Sequence, residues 1–160
     1  MAIFQIRPIN ETDKEWVLGL LKKEWAGPVM ITRGKVHDVG EYPGFIALEG
    51  GERAGLITYH IDGRECEITS MNSLAEGKGI GRALADEVKK AAALKRCKRL
   101  FLLTTNDNTR ALHFWQKYGF SLIALHANAM EKYRRLKPDI PMTGNDGIPL
   151  RDEIELEMKL

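Results

Sequence analysis

The sequence has few of the features that mark a secreted, membrane-bound or nucleic-acid-binding protein. It contains two cysteines, Cys66 and Cys97, which are far apart and lack the spacing of metal ligands. We therefore expect a reduced, cytoplasmic protein without a metal site. No apolar run approaches the ~20 residues that span a membrane, and the chain does not begin like a signal peptide. The net charge of +2 is too small to predict binding to nucleic acid.

What the sequence does have is the composition of an ordinary globular domain. Of its 160 residues, 44% are hydrophobic and 29% are charged, which is typical of a chain that buries one core. We therefore predict a single domain over residues 1–160. The densest basic stretch, residues 89–99, is interleaved with alanine and leucine and is interpreted as an exposed helix face.

Hydrophobic periodicity predicts a succession of strands and helices along the chain. Thr12 and Glu15 have the spacing of a capping box before a first helix, whereas residues 26–43 contain glycine and proline and are predicted as a loop or a broken helix. The remaining predicted strands cover 3–9, 45–49, 54–61, 65–74, 100–103, 120–125 and 154–160, and the remaining helices cover 79–95, 108–118 and 130–136. This order lacks strict βαβ alternation, so the predicted fold class is α/β of the α+β type, built around one mixed sheet.

A glycine-rich turn, Gly77-Lys78-Gly79-Ile80-Gly81-Arg82, lies between a predicted strand and a predicted helix. Glycines there let several backbone N–H groups point into one concavity, and the helix dipole adds partial positive charge, so the turn suits a diphosphate. The alternative is a turn that merely needs flexible residues. Two other phosphate motifs do not match, because no Ser or Thr follows Gly77-Lys78 and Leu84 stands where a dinucleotide fingerprint needs glycine.

Two motifs together resemble the GNAT superfamily of acetyltransferases. Residues 76–81 match the family's Arg/Gln-x-x-Gly-x-Gly/Ala turn, except that Glu76 replaces Arg or Gln and is expected to point away from the diphosphate. Residues 106–120 match the family's asparagine, alanine, aromatic run and final Gly-Phe. The resemblance covers roughly residues 4–125 and the closing strand. It implies a mixed, mostly antiparallel central sheet flanked by helices, and acetyl-CoA as co-substrate.

The resemblance also implies where acetyl-CoA binds. A backbone N–H near Met71 or Asn72 would bind the thioester oxygen, and Asn108 would hold the pantetheine arm from the other side besides capping a helix. The residues predicted to bind the cofactor are Met71, Asn72, Gly77, Lys78, Gly79, Ile80, Gly81, Arg82, Asn106, Asn108, Ala111, Phe114 and Trp115.

Glu67 is the predicted proton acceptor, because the resemblance places an acidic residue on this strand. Strand alternation would put Glu67, Thr69 and Met71 on one face, where the carboxylate could take a proton directly or through a water. The alternatives are an exposed polar residue or a partner of Arg64. A water organised by other polar groups is a further possibility, for which the candidates are Thr69, Ser70, Asn72 and His60.

The proton donor to the leaving thiolate departs from the family pattern. Trp115 stands where many members have a tyrosine, and an indole N–H is not a usable acid. Tyr118 lies three residues further, near the same helix face, and is the predicted catalytic acid. Core packing is its alternative role. An acid is not essential, because a thiol with a pKa near ~8.5 is a fair leaving group.

Two long connections, residues 26–43 and 127–149, are expected to cover the acceptor site. The acidic residues near the closing strand would favour a cationic amine or would form the solvent-exposed side of an edge strand; they are Asp152, Glu153, Glu155 and Glu157. We therefore predict an N-acetyltransferase that moves acetyl from acetyl-CoA to a primary amine of a small molecule or peptide, by direct attack in a ternary complex. The alternative function is a catalytically weak CoA-binding sensor or interaction module. No nucleic-acid or membrane partner is predicted, and a homodimer through the closing strand is plausible.

Overall fold

The computed structural model describes residues 3–75 and 77–160. Within them the chain forms nine strands, four α-helices and short 3-10 turns at 11–13, 39–41 and 145–147. The strands are β1 Gln5–Pro8, β2 Val29–Thr32, β3 Lys35–Asp38, β4 Gly44–Glu49, β5 Glu52–Asp62, β6 Glu65–Ser73, β7 Arg99–Thr105, β8 Ser121–His126 and β9 Glu153–Lys159. The helices are α1 Lys14–Trp25, α2 Ile80–Leu94, α3 Thr109–Tyr118 and α4 Ala129–Leu136. Among the described residues, no helix is both long and apolar enough to cross a membrane.

Seven strands form one sheet in the order β1-β4-β5-β6-β7-β9-β8. Every neighbouring pair is antiparallel except β6 and β7, which run parallel. The parallel pair is joined by α2, as a parallel connection requires. The predicted mixed, mostly antiparallel sheet flanked by helices is confirmed.

Helices cover both faces of the sheet because each has an apolar stripe to bury. On one face, Ile80, Leu84 and Val88 of α2 are buried against the sheet together with residues of α3. On the other face, Val17 and Leu21 of α1 are buried in a second cluster. The two cores hold the central strands rigidly, which fixes the residues that β6 carries.

The prediction for residues 26–43 is wrong, because this segment contains a β-hairpin instead of a loop or broken helix. Strands β2 and β3 pair in register around Arg33 and Gly34, whose φ angles of 51° and 74° are those of a two-residue primed turn. Arginine is unusual at the first of these positions, and each strand has only four residues. The local sequence therefore gave a weak strand signal.

Two smaller predictions also need correction. The capping box is formed by Asn10 and Asp13 and begins a 3-10 turn, instead of by Thr12 and Glu15. The closing strand β9 is not an edge strand, because it pairs with β7 on one side and with β8 on the other. A second chain could therefore not pair with β9, which removes the predicted route to a homodimer.

Candidate functional site

The sheet opens between its two parallel strands. Strands β6 and β7 are paired from Glu65 opposite Arg99 to Ile68 opposite Leu102. Both strands continue beyond these residues, but they are no longer paired with each other. Backbone N–H and C=O groups of β6 beyond Ile68 therefore face a gap instead of a neighbouring strand. Such an edge can form main-chain hydrogen bonds with an extended ligand.

A β-bulge interrupts β6 where the gap begins. Thr58 of β5 pairs with Ser70 while Tyr59 pairs with Ile68, so Thr69 is an extra residue on β6. The bulge reverses the alternation of side chains, and the prediction that Glu67 and Met71 share a face is therefore wrong. Met71 packs with the α2 core, whereas the next residue, Asn72, accepts a hydrogen bond from the Trp25 indole of α1 at 2.9 Å.

The glycine turn leads directly into α2. Gly77 and Gly79 both have a φ of 77°, a left-handed conformation that favours glycine. Among the described residues, no side chain caps the start of α2, and its first turn carries no acidic residue. The first N–H groups of this helix thus form the kind of site that binds anions. Glu76 lies outside the described residues.

The two basic side chains of this turn have partners in the structure. The Lys78 ammonium lies 2.6 Å from a carboxylate oxygen of Glu49, and the Arg82 guanidinium lies over the Tyr118 ring, 5.5 Å from its centroid. A Cβ on Gly81 would lie 3.3 Å from the Phe114 ring, so glycine lets α2 and α3 approach closely.

The second sequence motif supplies a helix cap and part of the core. Asn108 caps α3, because its side chain accepts a hydrogen bond from the N–H of Ala111 at 3.2 Å. Trp115 is only 4% exposed and contacts the rings of Phe114 and Phe120 inside the core. Its predicted contact with the cofactor stays a prediction, and its observed role is packing.

The Asn106 side chain forms hydrogen bonds with the backbone of the segment before β9. Its amide nitrogen donates to the carbonyl of Pro149 at 2.9 Å, and its oxygen accepts from the N–H groups of Arg151 and Asp152 at 3.0 and 2.9 Å. The neighbouring Asp107, which the sequence did not single out, is buried and accepts from the N–H of Asn145 at 2.9 Å. These residues fix the connection before β9.

Glu67 is buried on the face covered by the β2–β3 hairpin, with 6% of its surface exposed. The Thr32 hydroxyl donates to its Oε2 at 2.7 Å, and its Oε1 lies 3.8 Å from Nε2 of His37. A cavity of about 50 Å³ lies beside it, lined by polar residues of the hairpin, β5 and β6 and by Phe101. The alternative of an exposed polar residue is wrong because Glu67 is buried, and its observed hydrogen-bond partner is Thr32 instead of Arg64.

The environment of Glu67 favours its protonated form. Burial raises the pKa of Glu67, and the nearby carboxylates of Glu153 and Glu155 raise it further, against the lowering effects of the Thr32 hydrogen bond and the Arg33 charge. A carboxylate with a raised pKa is a stronger base than one in water. Glu67 can therefore accept a proton when it is ionised.

The acidic residues of β9 are not on a solvent-exposed face. Glu153 is 2% exposed and Glu155 is 7% exposed. Glu153 accepts hydrogen bonds from the Tyr133 hydroxyl of α4 at 2.7 Å and from the Arg33 N–H at 3.2 Å. Arg99 lies 3.3 Å from Glu155. The hairpin and α4 bury these carboxylates, and this long-range packing could not be read from the alternation of β9.

Tyr118 lies on the α2–α3 side of the sheet. Its hydroxyl donates to Asp86 at 2.7 Å. Burial and the Asp86 carboxylate hold its pKa well above the usual range, while Arg82 lowers it slightly. A phenol with a raised pKa is a poorer acid, so this geometry supports the packing role.

Three residues beside Glu67 were not predicted as site residues, namely Thr32, His37 and Tyr42. The sequence carried one usable signal, because a histidine and a threonine occur close together in a long connection that was expected to cover the acceptor site. Among the described residues, no group of three His, Cys, Asp or Glu side chains could hold a metal ion.

Comparisons with known proteins agree with this architecture. The model of the acetyltransferase (GNAT) family matches residues 10–120. The uncharacterized protein YdhI of Bacillus subtilis strain 168 is 45% identical over 150 residues, which cover 93% of this chain and 94% of that protein. An IAA acetyltransferase from Bacillus cereus ATCC 14579 has a similar structure, with a TM-score of 0.75, 22% identity and coverage of 99% and 100% of the two chains. A GNAT family acetyltransferase from Elizabethkingia anophelis, solved with acetyl-CoA bound, gives a TM-score of 0.68 at 22% identity and 98% coverage of both chains.

Proposed function

Because the chain belongs to the acetyltransferase (GNAT) family, we propose that it transfers an acetyl group from acetyl-CoA to a primary amine of a small molecule or peptide. The observation that carries this proposal is the position of Glu67. A buried carboxylate with a raised pKa lies one residue before the point where β6 and β7 separate. An amine that reaches the gap from the hairpin side would meet this carboxylate.

The residues along the gap fit acetyl-CoA as the acyl donor. The first N–H groups of α2, after Gly77 and Gly79, would hold the diphosphate, since no described side chain occupies them. The edge of β6 near Met71 and Asn72 would bind the pantetheine arm through main-chain hydrogen bonds. When bound, acetyl-CoA supplies a thioester carbonyl that an amine can attack.

Two kinds of group would promote the reaction. Glu67 would take a proton from the attacking amine, and a backbone N–H near Met71 or Asn72 would stabilise the negative charge on the carbonyl oxygen. Tyr118 as the acid for the leaving thiolate stays a prediction, and its hydrogen bond to Asp86 argues for a thiolate that leaves without it. The amine would approach Glu67 from the hairpin side while acetyl-CoA lies along the gap, so we propose direct attack within a ternary complex.

The acceptor is proposed to be a cation in solution. Glu67, Glu153 and Glu155 are buried near one another, and the first is affected electrostatically by the other two. Arg33 and Arg99 offset only part of this negative charge, and the Arg33 guanidinium lies 3.9 Å from Glu155. An alkylammonium group is attracted to such a site and can lose its proton there.

A catalytically weak CoA-binding module is the alternative, which rested on Glu76 and Trp115. Burial of Trp115 in the core means that its ring does not fill the acceptor side, and this weakens the alternative. A cytoplasmic location and a homodimer remain predictions. If a dimer forms by strand pairing at the β9 end of the sheet, β8 is the available edge strand, because β9 is its single neighbour.

The proposal is tested by incubating the protein with acetyl-CoA and a panel of mono- and diamines, amino-acid amides and short peptides. Thiol release and the mass of the acetylated product are measured together. We expect amine-dependent thiol release and an N-acetyl product. Acetyl-CoA binding without any acetylated product, across the panel, would favour the binding-module alternative.

A further inference from the structure

We propose that Thr32, His37 and Tyr42 form a relay that carries the proton taken up by Glu67 to solvent. This inference rests on the proposed function, because it assigns a route to a proton that only an active Glu67 would accept. The three residues come from the β2–β3 hairpin and the turn that follows it. They act through Glu67 and are therefore positioning residues.

The relay is a continuous chain of short contacts. The Thr32 hydroxyl is 2.7 Å from Oε2 of Glu67 and 2.9 Å from Nε2 of His37. On the other side of the same imidazole, Nδ1 is 2.6 Å from the Tyr42 hydroxyl. Each distance is within the range of a hydrogen bond. Glu67 and Tyr42 are thus connected through one hydroxyl and one ring.

The directions of these hydrogen bonds follow from the number of protons available. A threonine hydroxyl has one proton, which it donates to the ionised carboxylate, so it must accept from Nε2–H of His37. A neutral imidazole has a single N–H, so Nδ1 must accept from the Tyr42 hydroxyl. His37 is neutral at this position, because burial and the charges of His60, Lys35 and Arg33 lower its pKa. In the resting state, every proton in the chain points toward Glu67.

The overall reaction requires one proton to leave the site in each turnover. An alkylammonium and a thioester yield an amide, a thiol and one free proton. The amine nitrogen forms the new N–C bond, the C–S bond breaks, and the thiolate takes one of the two protons that the nitrogen loses. The other proton remains on Glu67, which is buried and covered by the hairpin. An exit route that does not pass through the occupied acceptor site would let Glu67 ionise again.

The chain can carry that proton because each member both donates and accepts. When Glu67 is protonated, the Thr32 and Tyr42 hydroxyls rotate, and His37 changes tautomer by giving its Nε2 proton to water in the cavity that it lines and taking one proton from water on Nδ1. Glu67 then donates to Thr32, Thr32 to Nε2, Nδ1–H to Tyr42 and Tyr42 to water. One hop along each of these bonds then releases a proton to water and returns the others to their resting positions. The count of protons is conserved, and the chain ends in the orientation deduced above.

The outer end of the relay is Tyr42. Tyr42 is partly exposed and stacks on the partly exposed His60, with ring centroids 4.7 Å apart. Lys35 is paired with Asp62 at 4.0 Å. The charged and titratable groups that face the relay from the packed elements are Arg33, Lys35, Asp38, His60, Glu153 and Glu155.

The test compares variants that break the chain at different points. Thr32→Val keeps the shape of the side chain but removes the link, and we expect kcat to fall about tenfold or more, with the KM for acetyl-CoA changed by less than about twofold. Loss of the hydrogen bond to the carboxylate also raises the pKa of Glu67, so the acidic limb of the pH–rate profile moves to higher pH. Thr32→Ser restores the hydroxyl and is expected to recover most of the loss.

Rescue by a small base separates proton transfer from mere support of Glu67. His37→Ala leaves space beside Thr32, and we expect added imidazole to restore kcat in a saturable manner, whereas equal ionic strength from sodium chloride does not. Val36→Thr, on the exposed side of the same hairpin, is the matched control and should show neither defect nor rescue. Thermal shift with acetyl-CoA verifies that each variant is folded.

The outcomes of this test are distinct. The relay is wrong if Thr32→Val and Tyr42→Phe both turn over within about twofold of the wild type at every pH. It is also wrong if imidazole fails to rescue a folded His37→Ala variant whose activity is low. Failure of the proposed function would look different, because the wild type itself would then acetylate no amine.

Discussion

Replacing Glu67 by glutamine removes the proposed proton acceptor and preserves the shape of the side chain. Glutamine can still accept the hydrogen bond from Thr32, which is 2.7 Å long in the structure, so the hairpin is expected to stay in place. General-base catalysis typically contributes a factor of about 10²–10⁴, and we therefore expect kcat to fall by about 100-fold or more. The KM for acetyl-CoA is expected to change little, because the proposed diphosphate site lies at the start of α2.

The same substitution tests the electrostatic description of the site. Burial raises the pKa of Glu67 in the folded state. Its contribution to stability is therefore fully present below the unfolded pKa of about 4.3 and is lost as the pH rises through the folded pKa. Glutamine stays neutral and avoids this loss. We expect the Glu67→Gln variant to have an equal or higher Tm than the wild type at pH 7, and the difference to shrink as the pH falls.

The assay is the initial rate of thiol release with a saturating amine, measured across the pH range in which the protein is folded. Glu157→Gln is a matched control, because Glu157 lies on β9 and binds Arg99 at 3.0 Å. A Glu67→Gln variant with a kcat within about threefold of the wild type would refute Glu67 as the base. A large fall in Tm would contradict the electrostatic description.

Three further substitutions test other parts of the account. Asp13 is fully buried and bound by Arg7 at 2.6 Å, so Asp13→Ala is expected to lower the unfolding free energy in urea by about 2–3 kcal/mol, a value reduced because Arg7 can hydrate. Since the hydrogen bond from Arg7 depresses the Asp13 pKa, the wild-type advantage is full above the unfolded value of about 3.9 and is lost as the pH falls through the lower folded pKa. Gly79→Ala places a side chain at a φ of 77°, and calorimetry should show acetyl-CoA binding weakened by about tenfold. Tyr118→Phe removes a hydrogen bond to Asp86; we expect a loss of about 1 kcal/mol in stability and a kcat within about twofold of the wild type, whereas a tenfold fall would support Tyr118 as the acid.

Local rules predicted the parts of the fold that depend on neighbouring residues. Gly77 and Gly79 were identified as part of a glycine-rich turn between a strand and a helix, and the structure places both in that turn with positive φ. Asn108 was identified as a helix cap from its place before an apolar periodic segment, and it caps α3. These features need only a few consecutive residues, so the sequence is sufficient to locate them.

The features that escaped prediction depend on distant contacts. The extra residue Thr69 in β6 reverses the side-chain alternation, and nothing in the pattern of β6 itself marks it. Glu153 and Glu155 alternate with apolar residues as an exposed face would, yet the hairpin and α4 bury them. The relay beside Glu67 was missed for the same reason, because it forms only when the hairpin packs on the sheet.

Binding of acetyl-CoA at the glycine turn is tested most directly by thermal unfolding with acetyl-CoA, with CoA and with NAD as a control. A ligand at about 100 times its Kd stabilises the folded protein by about 2.7 kcal/mol, which corresponds to a rise in Tm of about 5–10 °C for a chain of this length. We predict such a rise with both CoA species and none with NAD. No rise at millimolar acetyl-CoA would contradict the account, because the glycine turn and the gap between β6 and β7 would then not form a cofactor site.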